Sequence, residues 1–303
     1  MSRTLTAIRH LDADTINGLL DRAKHYKQAV ADGADVKVKN PKSVGLLFFE
    51  GSTRTRVSFE QAAWYLGHHT TNFASQGSSM AKGETLRDTI LTLKHERIEA
   101  MVVRHPASGS AALSAQIFGG PLINAGDGRH EHPTQALGDA LTILERKGTI
   151  EGLKVAIVGD VLHSRVARSN AWLLSTLGAE VRFVGPRTLV PIHAGRLPGK
   201  VYYDLDPGIR GADVVMCLRL QRERMDDGLL TSVGEFRKAY QINPYTLRRA
   251  AKDAILMHPG PMNRGVEVDD FAADGPQSVI LDQVTNCVFA RMAALEWILG
   301  GAE

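Results

Sequence analysis

Residues 48–60 read FFEGSTRTRVSFE, and their types and spacing suit the binding of a phosphate. An apolar run through Phe48 and Phe49 leads to Gly51. Three hydroxyl residues and two arginines follow: Ser52, Thr53, Arg54, Thr55 and Arg56. A helical pattern then begins at Val57. This reads as a buried strand, a tight turn and a helix N-terminus. The first turn of a helix carries unpaired N–H groups and the positive end of the dipole. Hydroxyl donors and a guanidinium added there make a phosphate cradle. The plainer alternative is a helix capped by Ser52 or Thr53 with solvated arginines. No Walker A pattern is present.

Further polar groups recur at the ends of apolar runs. Arg104, His105 and Pro106 follow AMVVR, where a guanidinium either reaches an oxyanion or sits solvated. Ligands of parallel sheets gather beyond the carboxyl ends of strands. His130, His132 and Gln135 surround a helix start in GDGRHEHPTQALGD. The His-x-His pair lacks a third and fourth ligand at useful spacing, so no metal is expected. A histidine there suits donation to a substrate oxygen, with Gln135 one turn on.

VAIVGDVLHSRVARS (155–169) resembles a dinucleotide-binding turn without its glycine fingerprint. Arg165 opposes the dipole of the helix it starts, which an anion would compensate, although a solvated helix start also fits. Arg219 and Gln221 follow the run DVVMCL. The turn His258-Pro259-Gly260-Pro261 is stiff and able to aim carbonyls at a ligand amide, or is simply a rigid loop. Glu50, just before the phosphate turn, is either an inter-domain latch to an arginine such as Arg165 or a solvated acid. No Ser-His-Asp order or paired carboxylates stand out. The chemistry indicated is positioning and charge stabilisation.

The elements needed to hold these groups alternate along the chain. Strands are expected at 43–49, 100–104, 122–124, 153–160, 181–184, 201–203, 213–218 and 254–257. Helices are expected at 14–32, 53–66, 85–96, 109–118, 133–147, 164–178 and 283–299. Residues 74–84 and 221–245 read as loops. Short apolar strands between helices predict an α/β fold of two doubly wound parallel-sheet domains joined by bridging helices. The first domain is expected over 1–133 and the second over 134–284, with the helix from Pro133 to Lys147 bridging them.

The 303 residues suffice for two domains, and a net charge of +3 is too mild to mark a nucleic-acid binder. The two cysteines, Cys217 and Cys287, lie in an apolar strand and a helical pattern, which fits a reducing compartment better than a disulfide. The N-terminal stretch lacks a signal-peptide core, and no segment nears the roughly 20 apolar residues of a membrane span, so a cytoplasmic protein is expected.

The motifs F-x-x-x-S-T-R-T-R (48–56), R-H-P (104–106), H-P-T-Q (132–135) and H-P-G-P (258–261) together resemble the aspartate and ornithine carbamoyltransferases, over nearly the whole chain. Two features are similar to the aspartate branch: SSMAKGETLRDT with Ser78 and Lys82, and R-x-Q-x-E-R at 219–224. The H-C-L-P and S-M-G motifs of ornithine enzymes are missing, and Pro259 stands at the corresponding turn.

The resemblance implies transfer of a carbamoyl group from carbamoyl phosphate to the amine of L-aspartate, an early step of pyrimidine synthesis, with no cofactor or metal. Ser52, Thr53, Arg54, Thr55 and Arg104 would hold the phosphate. Thr55, Arg104 and His132 would donate to the carbamoyl oxygen. Gln135 and the backbone at Pro259 and Gly260 would hold the carbamoyl nitrogen. Arg165, Arg219, Gln221 and Lys82 would pair with the aspartate carboxylates. It further implies that the C-terminal helix, 285–303, packs back on the first domain. It implies a homotrimer in which Ser78 and Lys82 enter a neighbour's site. The H-P-G-P region is similar to that of bacterial enzymes that act as free trimers or assemble with dihydroorotase-type chains. The rival readings are a carbamoyltransferase for ornithine or another amino acid, and a non-catalytic assembly chain that binds phosphate ligands.

Overall fold

Apolar runs too short for helices form the two sheets of the computed structural model, which describes residues 3–74, 83–221, 229 and 232–300. Their contacts divide the chain into one unit of Met1–Leu141 with Thr285–Glu303 and a second of Thr142–Val284.

The first unit holds strands β1 (Thr4–Leu5), β2 (Ser43–Phe48), β3 (His69–Ala74), β4 (Ala100–His105) and β5 (Leu122–Asp127). They form a parallel sheet in the order β1-β5-β4-β2-β3. Helices α1 (Ala13–Ala31), α2 (Thr53–Tyr65), α3 (Leu86–His95) and α4 (Ser110–Phe118) connect them. Leu47, Met101, Val103 and Leu122 pack with Ile90, Leu93 and Phe118 on one side of the sheet. Strands buried on both faces read as continuous apolar runs, which is why Val44–Phe48 was legible.

Helix α5 (Pro133–Lys147) leads into the second unit. There β6 (Lys154–Val158), β7 (Glu180–Val184), β8 (Lys200–Tyr202), β9 (Val214–Cys217) and β10 (Ile255–Met257) form a parallel sheet in the order β10-β9-β6-β7-β8. Its helices are α6 (Arg165–Thr176), α7 (Leu205–Ile209), α8 (Val233–Tyr240), α9 (Pro244–Leu247) and α10 (Asp270–Ala273). The last helix, α11 (Ile280–Leu299), returns the chain to the first unit, where Lys27 Nζ donates to Asn286 Oδ1 at 2.8 Å and Arg22 pairs with Glu296.

Some elements differ from the sequence reading. The stretch 221–245 is not all loop: Ser232 caps α8 by accepting from Glu235 N, and Asn243 closes a capping box on α9. Strand β3 was missed because His69, Thr70, Thr71 and Asn72 make a polar edge strand. Strand β5 extends to Asp127, three residues further than expected.

Candidate functional site

In the first sheet the chain leaves β2, returns as β3 on one side, and then crosses to β4 on the other. Such a switch point opens a crevice beyond the carboxyl ends of the two strands, where open α/β sheets bind ligands. Both phosphate-type motifs flank it. Beyond the strand ends, Phe49 N still donates to Arg104 O at 2.8 Å. Ser52 is the N-cap residue of α2, yet its side chain makes no capping bond, contrary to the simple capping reading. Thr53 and Arg54 are exposed, while Thr55 is buried. Arg104 Nη1 lies 3.4 Å from Thr55 Oγ1 and 3.4 Å from the Ala125 carbonyl. Its Nη2 meets Glu50 Oε1 at 2.8 Å. This ion pair lies within the first unit, and both side chains are largely covered, so Glu50 is not a freely solvated acid.

The loop between β5 and α5 turns on a buried carboxylate. Asp127 accepts from Gly109 N at 2.7 Å, Asn124 Nδ2 at 2.7 Å and Glu131 N at 3.2 Å, and contacts His130 Nδ1 at 3.0 Å. Burial works against its charge, but the hydrogen bonds from His130 and Asn124 hold the carboxyl below its usual range. The same bond to Asp127 raises the His130 pKa, against partial burial. Glu131 accepts from Ile8 N at 2.8 Å. These bonds fix the entry to α5, whose first turn hydrogen-bonds to the His132 carbonyl. His132 and Gln135 are buried beside that turn. Gln135 Nε2 donates to Asp139 Oδ1 at 2.8 Å.

The second sheet has its own switch point, between β6 and β9. Gly159 leaves β6 at φ 122°, and a Cβ there would lie 2.9 Å from the Leu218 carbonyl, so glycine is required by both conformation and space. Asp160, fully buried, accepts from His163 N at 3.1 Å, His163 Nδ1 at 2.8 Å and Gln221 N at 3.3 Å. Desolvation pushes its pKa up, with His163 pulling the other way. Asp160 therefore ties the loop after β6 to the loop after β9. Ser164 caps α6 by accepting from Ala167 N at 3.1 Å, and Arg165, the first residue of α6, is buried. Arg219 and Gln221 are partly exposed after β9.

The turn at Pro259 and Gly260 is braced from beneath. Gly260 N donates to His258 Nδ1 at 2.8 Å, and His258 Nε2 faces Glu267 Oε1 at 3.2 Å. Gln283 Oε1 accepts from His258 N at 2.8 Å.

In each unit the expected residues lie at or just beyond the carboxyl ends of strands: Ser52–Thr55, Arg104, His132 and Gln135 at the ends of β2, β4 and β5. Arg165, Arg219, Gln221, Pro259 and Gly260 follow β6, β9 and β10. Ser78 and Lys82 lie outside the described residues. Sequence reasoning missed Asp127, Asp139, Asp160 and Glu267, the carboxylates that position the rest. A signal existed for two of them: Gly-Asp-x-x-His occurs at the end of β5 as Gly126-Asp127…His130 and after β6 as Gly159-Asp160…His163, with both glycines at positive φ.

Chemically, this arrangement offers donors and cations to anions. Burial pushes the Cys287 thiol up to about 11 and the Cys217 thiol higher still, so neither is poised as a thiolate nucleophile. Among the described residues, no group of three His, Cys, Asp or Glu side chains could hold a metal ion, and no helix is long and apolar enough to cross a membrane.

Comparison with known proteins places these sites in context. The family described as aspartate/ornithine carbamoyltransferase, carbamoyl-P binding domain, matches residues 3–145, and the Asp/Orn binding domain matches residues 151–298. The aspartate carbamoyltransferase catalytic subunit of Salinispora arenicola is 51% identical over 308 residues, covering 99% of each chain. That of Moorella thermoacetica is 48% identical over 305 residues, covering 99% of this chain and 98% of the relative. Among solved structures, ornithine carbamoyltransferase from Pyrococcus furiosus matches with a TM-score of 0.89 at 31% identity, covering 100% of this chain and 98% of that one. Aspartate transcarbamoylase from Trypanosoma cruzi, in complex with carbamoyl phosphate and aspartate, matches with a TM-score of 0.89 at 30% identity, covering 97% of this chain and 96% of that one. The backbone is equally similar to an ornithine and an aspartate enzyme, whereas the relatives near half identity carry the aspartate activity in their names.

Proposed function

The chain belongs to the aspartate/ornithine carbamoyltransferase family, and from that membership we infer that it transfers the carbamoyl group of carbamoyl phosphate to the amine of L-aspartate. The products are N-carbamoyl-L-aspartate and phosphate, and the reaction belongs to pyrimidine biosynthesis. The observation that carries this reading is the position of Ser52–Thr55 and Arg104 at the switch point of a sheet within the carbamoyl-P binding match.

In this reading Ser52, Thr53, Arg54, Thr55 and Arg104 hold the phosphate. Thr55, Arg104 and His132 donate to the carbamoyl oxygen. Gln135 Oε1 and the carbonyls at Pro259 and Gly260 accept from the carbamoyl nitrogen. Arg165, Arg219, Gln221 and Lys82 take the two carboxylates of aspartate. The amine attacks the carbamoyl carbon, a C–N bond forms, and charge gathers on the carbonyl oxygen. Donors aimed there bind the transition state more tightly than the ground state. The bond between the carbamoyl carbon and the bridging phosphate oxygen then breaks, and the departing phosphate takes the amine proton, so no protein base is required. Neither a cofactor nor a metal enters the scheme.

The protein acts as a cytoplasmic homotrimer in this reading, with Ser78 and Lys82 supplied by a neighbouring subunit. Assembly with dihydroorotase-type chains is compatible with it. The acceptor is tested by supplying carbamoyl phosphate with L-aspartate or L-ornithine to the purified protein and measuring the ureido product. Product with aspartate alone is expected; product with ornithine alone, or with neither, contradicts the reading.

A further inference from the structure

Gln135 can accept from a carbamoyl nitrogen only if its oxygen, not its nitrogen, faces the ligand. The two ends of a carboxamide have nearly the same shape, so something must choose between them. Within the first unit, the Nε2 end is taken by Asp139, at 2.8 Å. The Cys287 thiol is the amide's other partner, and because that hydrogen bond lowers the thiol pKa it is donated by the same Nε2 end to Sγ. Asp139 is fully buried on the next turn of α5. An ionised carboxylate only accepts, so it admits the amide in one orientation. The buried Arg291 of α11 supplies the opposite charge to Asp139 and lies with its guanidinium 5.1 Å from the Phe59 ring of α2. α5 and α11 touch closely here: a Cβ on Gly138 would lie 2.5 Å from Cys287 Sγ. Asp139 is therefore held in a packed layer that leaves Gln135 little freedom to turn over.

We propose that Asp139 is a positioning residue that sets substrate choice, fixing the Gln135 oxygen outward so that the site prefers carbamoyl phosphate to acyl phosphates of equal size. The inference rests on the role of Gln135 given above. A carbamoyl –NH2 donates to that oxygen. The methyl group of acetyl phosphate fills the same space and donates nothing. If the amide turned over, its NH2 would meet the carbamoyl NH2 donor to donor, while the methyl would be little affected.

Asp139→Asn tests this, because asparagine has the same shape but satisfies Gln135 in either orientation. Dissociation constants for carbamoyl phosphate, acetyl phosphate and inorganic phosphate are measured by titration on the wild-type protein, on Asp139→Asn, and on Asp139→Asn with Gln135→Glu. The wild type should prefer carbamoyl to acetyl phosphate. In Asp139→Asn that preference should fall by about tenfold, the scale of a lost hydrogen bond with a donor left facing a donor, while inorganic phosphate binds as before. The double variant should recover preference, since the introduced carboxylate accepts from the introduced amide with one oxygen and from the carbamoyl nitrogen with the other. An unchanged preference in Asp139→Asn overturns the proposal. So does equal weakening of all three ligands, which would make Asp139 a purely structural residue. A double variant no more selective than Asp139→Asn also overturns it. A wild type without any preference refutes instead the role assigned to Gln135, and with it the functional reading.

Discussion

Glu50 and Arg104 form an ion pair of 2.8 Å across the first switch point, one residue at the end of each flanking strand. The acid holds the guanidinium beside Thr55 but also places a negative charge where a phosphate is to bind. Glu50→Gln keeps an acceptor for Arg104 and removes the charge. Inorganic phosphate should bind more tightly to this variant by roughly tenfold, the equivalent of about 1.4 kcal/mol, while turnover falls because a neutral acceptor holds Arg104 less firmly. Weaker phosphate binding on titration would contradict this balance.

Gln221→Ala should weaken aspartate binding more than carbamoyl phosphate binding. The bond that Asp160 makes here is to the backbone N–H of Gln221, so alanine preserves the loop and removes only the side-chain amide. Separate titrations of the two substrates decide it; equal losses count against the assignment of Gln221 to aspartate.

The His130–Asp127 pair gives a pH dependence with a definite sign. The His130 pKa is raised above its usual 6.5, chiefly by the hydrogen bond to Asp127. Its contribution to stability is therefore complete below 6.5 and is lost as pH rises through the higher folded value. The Tm difference between wild type and His130→Gln should be larger at about pH 6 than at about pH 9. A difference that is constant or grows with pH would show that the pair does not act in this way.

The phosphate turn was legible because its chemistry is local: glycine, hydroxyls and arginines stand within nine residues, directly after an apolar run. The strands of both sheets were legible for a related reason, since Val44–Phe48 and Val214–Cys217 are buried on both faces and carry no alternation. The polar edge strand at His69–Ala74 has no such run. The carboxylates fared worst. Asp127 and Asp160 each follow a glycine, where aspartate is an ordinary turn residue, and their importance lies in donors gathered from distant positions, such as Gly109 N and Gln221 N. Asp139 hides on the buried side of α5, where only the fold brings Arg291 near it.

Subunit mixing tests the proposed sharing of a site between chains. Lys82→Ala and Arg54→Ala chains, each nearly inactive alone, should regain activity when mixed and reassembled. In the proposed trimer, a mixed assembly would contain a site built from the intact Lys82 of one chain and the intact Arg54 of another. No recovery despite demonstrated subunit exchange would mean that each site is built within one chain.

In the proposed reaction the turn opening α2 holds the phosphate during carbamoyl transfer to aspartate, and on that role the rest depends. The most direct test of that role is kcat for carbamoyl aspartate formation in Arg54→Ala against wild type, with Tm measured on both. Arg54 is exposed in the first turn of α2, so its loss should leave Tm unchanged. Turnover should fall by roughly 10²–10³, as when one charge-stabilising donor is removed from a transition state. Near-normal kcat in a correctly folded Arg54→Ala protein would contradict the account.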